Sequence, residues 1–222
     1  MLLAVDTSTQ WIGLALYDGA DVLGEVVWQS RSHHTVELAP AIADLLQRCG
    51  VRAEDLKAAA VALGPGSFTA LRIGLAVVKG MALAQRIPVV GVPTLDILAA
   101  AQAVRELPLV CILQAGRGRL AAGWYQAARG QWQSKGGVSV TTAEALVEQI
   151  EKPTLVCGEL TAAERQVFGR KKKIALLISP ANSLRRPGFL AELVWKRWPA
   201  GQADDVVSLA PIYLHVAEEI PD

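Results

Sequence analysis

The sequence predicts an α/β protein built of two halves that repeat one order of elements. Three observations carry that prediction. Short apolar strand runs alternate with helical periodicities along the chain, the order strand-strand-strand-helix-strand-helix-strand-helix occurs twice, and Arg105-Glu106-Leu107-Pro108 interrupts the pattern between the copies. At 222 residues the chain is long enough to bury about 70% of its unfolded surface without disulfides or metals.

In the first copy, 2–5, 11–17 and 21–29 read as a meander of three strands with a turn at Asp18-Gly19. Over 35–49, Val36, Ala39, Ile42, Leu45, Leu46 and Cys49 recur at helical spacing; Pro40 falls in the early turns and Gly50 stops the helix. A strand over 58–63 follows, then the stretch LGPGSFTALRIG, a long helix over 69–85, a strand over 88–92 and a helix over 94–104. The second copy gives strands over 109–113, 120–126 and 131–140, a helix over 142–150, a strand over 154–157, a short helix over 162–168, a strand over 174–178 and a helix over 188–198. A duplicated order of this kind is the two-half, ribonuclease-H-like architecture of actin, Hsp70 and sugar kinases, and it divides the chain into residues 1–105 and 106–222.

In that architecture each half turns the loop of its first hairpin toward a cleft where a nucleotide's phosphates and metal would lie. The first such loop is Asp6-Thr7-Ser8-Thr9. Its carboxylate can hold a metal-bound water and its hydroxyls can donate to phosphate oxygens, so Asp6, Thr7 and Ser8 are the candidate cofactor-binding residues of a degenerate phosphate loop. A turn held by Asx and Ser/Thr side chains explains the same residues. The equivalent loop over 114–118 opens on Gln114, a poor magnesium ligand, so one of the two acidic anchors of an active phosphotransferase is missing.

The stretch over 63–74 fails the Walker pattern because no Lys follows its glycines. Its N–H groups at a helix start are able to receive an anion, while its Gly and Pro favour a strand-to-helix turn. Between Ala70 and Ala84 only Arg72 and Lys79 are charged, so the helix is apolar nearly all round and needs cover on more than one face, from its own sheet and from a helix of this or another chain.

Lys and Arg number 22 against 21 Asp and Glu, which leaves no broad field for nucleic acid. Cys49, Cys111 and Cys157 form no C-x-x-C pair and read as small buried residues in a reducing compartment. The sequence shows no basic n-region or cleavage site and no apolar run of the ~18 to 20 residues needed to span a bilayer, so a cytoplasmic protein without a membrane segment is expected. His33 and His34 are neighbours whose side chains diverge, and His215 is the other histidine; no metal site is expected. The basic run over 169–173, followed by Arg185-Arg186, reads as solvated surface, with an RNA phosphate contact as the alternative. Trp195 and Trp198 read as packing residues of the last helix, and no G-x-S-x-G elbow offers a hydrolase nucleophile.

Four motifs occur in one order and spacing: MLLAVDTS at the N-terminus, RSHH at 31–34, GPGSFTALRIG at 64–74 and GVPTLDILA at 91–99. With them the sequence resembles the bacterial TsaB family over residues 1 to about 105, and more loosely afterwards through PGFLAEL at 187–193 and PIYL at 211–214. The resemblance implies two actin-like (ASKHA) halves and a non-catalytic scaffolding or activating subunit, without catalytic residues or a cofactor of its own. The complex it implies transfers a threonylcarbamoyl group to the adenosine beside the tRNA anticodon, through a TsaD-type catalytic subunit with which this chain would dimerise. A TsaE-type ATPase would join the wider complex, tRNA would be met mostly through the partner, and a homodimer is the state open to the chain alone.

By the same resemblance the partner interface is the helix carrying Ala70, Leu71, Arg72, Gly74, Leu75, Val78, Lys79 and Ala82, led in by Gly64, Pro65, Gly66, Ser67, Phe68 and Thr69. Two positions depart from the family: Ala70 stands where Gly is usual, and Gln114-Ala115-Gly116 where an acidic, D-A-R-like start is usual. The rival reading is a small-molecule kinase or ATPase of the same superfamily using Asp6 with Ser67 and Thr69, against which Gln114 argues. A glycoprotease-like metallopeptidase is disfavoured by the lack of two His one helical turn apart.

Overall fold

The computed structural model describes residues 1–31 and 33–214, so Ser32 of the RSHH motif and His215 fall outside it. The first half runs β1 (Leu2–Asp6), β2 (Trp11–Tyr17), β3 (Val22–Gln29), α1 (His34–Arg48), β4 (Ala58–Gly64), α2 (Phe68–Gln85), β5 (Val89–Pro93) and α3 (Thr94–Ala100). Its sheet has the order β3-β2-β1-β4-β5, with β1 antiparallel to β2 and parallel to β4. The second half runs β6 (Leu109–Gln114), β7 (Leu120–Ala128), β8 (Gln131–Ser134), β9 (Ser139–Thr141), α4 (Ala143–Glu148), β10 (Thr154–Gly158), α5 (Ala162–Gly169), β11 (Ala175–Leu177) and α6 (Pro187–Trp195). Its sheet, β11-β10-β6-β7-β8 with β9 also on β7, repeats the first arrangement strand for strand. The structure is α/β, with two actin-like mixed sheets, as the repeated order predicts.

The central strands are apolar without alternation because both of their faces are covered. Leu3, Val5, Leu14 and Leu16 pack toward α1 and α2, whereas Leu2, Ala4, Ala15 and Ala58, Ala60 and Ala62 of β4 face Leu190, Ala191 and Val194 of α6. That second cluster is a finding the linear order hides: α6 follows the second sheet in sequence but packs on the first. Its N-terminus is held there by Glu25 of β3, whose carboxylate accepts the Gly188 N–H at 2.8 Å and the Arg186 guanidinium. An acid at a helix N-terminus is stabilised by the unsatisfied N–H groups and the dipole.

Other differences are local. The strand expected over 131–140 splits into β8 and β9 because Gly136 takes φ +95° between them. Helix α3 ends at Ala100 and α6 at Trp195, each earlier than periodicity suggested.

Helix α2 begins at Ser67, whose hydroxyl accepts the Ala70 N–H, and ends at Arg86 in the left-handed region at φ 54°. With 18 residues it is, among the described residues, the one helix long and apolar enough to cross a membrane. The sequence predicts no apolar run of that length; α2 reaches it on mean hydropathy although Arg72 and Lys79 lie within it. The protein uses that apolarity internally: Leu71, Leu75, Val78 and Ala82 are buried, with Leu75, Val78 and Ala82 in the core beside Val5 and Val61.

Residues 202–214 form a strap along the first half. Asp204 bridges to Val89 and its carboxylate accepts the Gly91 N–H at 2.7 Å. Further along, Lys79 Nζ donates to the Val207 carbonyl at 3.1 Å and the Ile212 N–H to the Leu63 carbonyl at 2.7 Å. Arg72 Nε donates to the Tyr213 hydroxyl at 2.8 Å while its guanidinium lies 3.7 Å from the centre of the Phe68 ring.

Candidate functional site

The end of β1 delivers the Asp-Thr-Ser-Thr loop to the junction of the two halves, and each of its four side chains has an internal partner. Asp6 Oδ1 accepts the Ser8 N–H at 2.8 Å, and the Thr7 hydroxyl donates to the Ala70 carbonyl at 2.8 Å. Ser8 Oγ shares a 2.7 Å hydrogen bond with Thr94 Oγ1, which accepts the Gly64 N–H at 3.0 Å. Thr9 Oγ1 donates to Glu159 Oε1 at 2.8 Å. Asp6, Thr7 and Ser8 are therefore brought together as the sequence predicts, but their polar groups bind one another and the fold.

The group that closes the loop comes from far along the chain. Arg185, on the approach to α6, donates from Nε to Asp6 Oδ2 at 2.7 Å, from Nη2 to Thr9 Oγ1 at 2.9 Å and from Nη1 to Glu159 Oε1. Arg185 is 5% exposed and Asp6 2%. Burial pulls the guanidinium down, and the Asp6 and Glu159 carboxylates outweigh it, holding the group above its ordinary value. A permanently charged fork thus occupies the oxygens that a metal-bound water would need. Across the cleft, Gln114 Nε2 donates to the Glu159 carbonyl at 3.0 Å and to Glu164 Oε2 at 2.8 Å, so it too is turned inward.

The Gly-rich stretch is clamped onto the same loop. The Ser67 N–H donates to the Ser8 carbonyl at 2.7 Å, and a Cβ at Gly66 would collide with that carbonyl. Gly74, two turns into α2, similarly faces the Thr7 hydroxyl with no room for a side chain. The stretch is a strand-to-helix turn packed against the first loop, with Gly64 and Pro65 buried and Gly66, Ser67, Phe68 and Thr69 exposed.

Of the eight helix residues expected to meet a partner, Ala70, Leu71, Gly74, Leu75, Val78 and Ala82 are buried within the chain; Arg72 is exposed and Lys79 half-buried. The outward face is a different line: Ala76, Gly80 and Leu83 are exposed, Leu83 to 66%, with half-buried Ile73 at its start. At Gly80 an added Cβ would meet nothing within 4 Å, so nothing inside the chain requires glycine there.

The cleft between the halves, about 1060 Å³, is lined by Thr9, His34, Phe68, Gln114 and Glu159 among others. His34 is buried at the start of α1 and its Nε2 lies 2.9 Å from the Thr9 carbonyl, which only accepts, so Nε2 carries the proton. His33 is exposed, 3.8 Å from Glu37, and the two rings part as their adjacency predicts. Among the described residues no group of three or more His, Cys, Asp or Glu is placed to hold a metal ion.

One basic residue read as surface needs correction: Arg185 is buried on Asp6. Arg186 is exposed and bonded to Glu25, and Lys171 donates to Glu148 at 2.9 Å, leaving Arg170, Lys172 and Lys173 exposed. Sequence reasoning missed both Arg185 and Glu159 as members of the site. No local pattern marks them, because the contacts to Asp6 and Thr9 span 179 and 150 residues.

Two sheets of one strand order, meeting at an Asp-led loop, define an actin-like protein, here one whose first phosphate loop is filled by its own arginine. The family model for TsaD, tRNA N6-adenosine threonylcarbamoyltransferase, matches residues 21–179. The tRNA threonylcarbamoyladenosine biosynthesis protein TsaB of Bacillus subtilis is 32% identical over 98% of this chain and 95% of its own length. YeaZ from Pseudomonas aeruginosa superposes with a TM-score of 0.77 at 27% identity, covering 96% of this chain and 99% of that one. A tRNA N6-adenosine threonylcarbamoyltransferase of Streptococcus mutans is 34% identical over 65% of this chain but only 43% of its own length. The chain belongs to the TsaB family of tRNA threonylcarbamoyladenosine biosynthesis proteins, which shares the actin-like fold with the transferases.

Proposed function

We propose that this chain is a non-catalytic, activating subunit in the formation of threonylcarbamoyladenosine on tRNA, and that it acts by docking on a TsaD-type catalytic subunit. The observation that carries the non-catalytic reading is the buried fork of Arg185 on Asp6, Thr9 and Glu159, which leaves the first phosphate loop without a free carboxylate oxygen for a metal. Gln114 in the second loop supports it. The rival kinase reading requires Asp6 to face a nucleotide, and Asp6 faces an arginine.

The docking face we assign is the outward line of α2, Ile73, Ala76, Gly80 and Leu83, flanked by Arg72 and Lys79. An exposed glycine in mid-helix costs about 0.5–1 kcal/mol relative to alanine, and a close-approaching partner helix is what such a site fits. On this reading residues 1–105 carry the docking face and 106–222 form the divergent half. A TsaE-type ATPase joins the complex, the isolated chain pairs with itself, and the setting is the cytoplasm.

The test is calorimetric titration with Mg-ATP, with and without a turnover assay for ATP hydrolysis. Negligible turnover and no metal uptake are expected of the isolated chain. Robust hydrolysis that disappears in Asp6→Asn would hand the protein to the kinase reading.

tRNA is contacted mostly through the partner in this account, because the formal charge of +1 offers no field and only Arg170, Lys172 and Lys173 of the basic run stand free of Glu148. The isolated chain should bind tRNA weakly, with affinity falling steeply as salt rises. A filter-binding series between low and physiological salt checks this; tight binding at physiological salt that Lys172→Gln with Lys173→Gln abolishes would show direct recognition.

A further inference from the structure

On the side of α3 and α6 away from the Asp6 loop lies a second cleft of about 740 Å³, bounded by α3, α6 and the β7–β8 hairpin. The chain has twelve aromatic residues, six Trp, three Tyr and three Phe, and five of them line this one cleft: Tyr17, Tyr125, Trp132, Phe189 and Trp195. Three of them have their polar ends already bonded. Tyr17 donates to the Gly19 carbonyl at 3.0 Å, Trp132 Nε1 to the Gln102 carbonyl at 3.0 Å and Tyr125 to Asp96 Oδ1 at 2.7 Å. Trp195 is wedged against Gly19, where any Cβ would strike its ring, and meets Tyr17 edge-on at 5.3 Å. What remains for the cleft is fixed ring surface.

One carboxylate shares the lining. Asp96, in the first turn of α3, has Oδ1 on Tyr125 and no hydrogen bond to Oδ2 among the described residues. Burial raises its carboxyl, only partly offset by the Tyr125 bond and Arg197, so this acid is kept where an ionised group is costly. Lys196 and Arg197 complete the lining beside Glu192, which leaves this edge with more cation than anion.

We propose that this cleft binds a purine nucleotide, its base among the rings of Trp132 and Trp195, its exocyclic amino group on Asp96 Oδ2 and its phosphate at Lys196 and Arg197. A flat, sequence-tolerant stacking surface, one acceptor and an adjacent cation pair are the three elements by which a base with an amino group and a phosphate is recognised. The volume falls within the range of small-ligand pockets, roughly 300–1000 Å³. The same chemistry is offered by a free mononucleotide and by an unpaired base of an RNA strand. The inference stands apart from the docking reading, since no residue of α2 takes part.

The test uses the full chain, with tryptophan fluorescence and calorimetry, titrated with AMP, with purine riboside monophosphate that lacks the amino group, and with single-stranded oligoadenylate. AMP should quench saturably, and purine riboside monophosphate should bind at least about tenfold more weakly for want of one hydrogen bond. Asp96→Asn keeps an oxygen for Tyr125 and removes a buried charge, so it should melt no lower than the parent yet bind AMP about tenfold more weakly. Trp132→Leu should weaken AMP by roughly fivefold or more through lost stacking; if it does not fold, Asp96→Asn and the base analogue decide. Oligoadenylate bound at least tenfold tighter than AMP, with the same Asp96 dependence, assigns the site to an RNA base, and any smaller ratio assigns it to the free nucleotide. Absence of saturable binding of either ligand up to about 10 mM, or binding that Asp96→Asn leaves unchanged, overturns the proposal.

Discussion

Arg185→Met should lower the stability of the protein by about 3–5 kcal/mol, which for a chain of this size is a fall of roughly 10 °C in Tm. The substitution fills most of the volume but leaves Asp6 and Glu159 facing each other with no cation between them. Two carboxylates left without the guanidinium repel, and Asp6, buried, has no partner to replace it. The deficit should shrink when Asp6→Asn and Glu159→Gln are added to the same chain, because a neutral cluster no longer needs a counter-charge. Thermal and urea melts of the single and triple variants measure both. A single variant that melts within about 0.5 kcal/mol of the parent would mean the ion cluster contributes nothing to holding the halves together.

The second large effect separates the two sides of one helix. Leu75→Glu buries a charge against the first sheet, where Leu75 packs with Val78 and Ala82, and the chain should fail to fold. Gly80→Glu points into open space, so circular dichroism and melting should match the parent. On size exclusion with the TsaD-type subunit, however, Gly80→Glu should lose at least a hundredfold in affinity, since it drives an unpaired charge and a long side chain into a close helix contact. Complex formation by Gly80→Glu at parental affinity would remove the outward face of α2 from the interface.

This contrast shows where sequence reading reached its limit. Periodicity found α2 and its apolar circumference, but a helix with apolar residues all round carries no internal mark of which stripe its own sheet takes. Burial supplies that mark: Leu71, Leu75, Val78 and Ala82 go inward, and Ile73, Ala76, Gly80 and Leu83 are left. The repeated strand order was legible because β1 and β4 and their counterparts are short continuous apolar runs between turn residues. The split of 131–140 was legible in principle, since Gly136-Gly137 stands in the middle of the supposed strand. Arg185 was not. An arginine beside another arginine reads as surface, and only the return of α6 to the first sheet brings it onto a carboxylate 179 residues away. Asp6, Thr7 and Ser8 were found as a cluster for the correct local reason, while their partners are set by the fold as a whole.

The strap over 202–214 also bears on how the first sheet avoids growing through its open edge. β5 is the last strand of the first sheet, and its outer side would otherwise present unpaired N–H and C=O groups to any passing strand. Asp204 answers that edge with its backbone on Val89 and its carboxylate on the Gly91 N–H, placing a negative charge where a foreign strand would have to pair. The chain's last described segment is thereby a guard against edge-to-edge aggregation, and shortening it at residue 200 would trade a capped sheet for a sticky one.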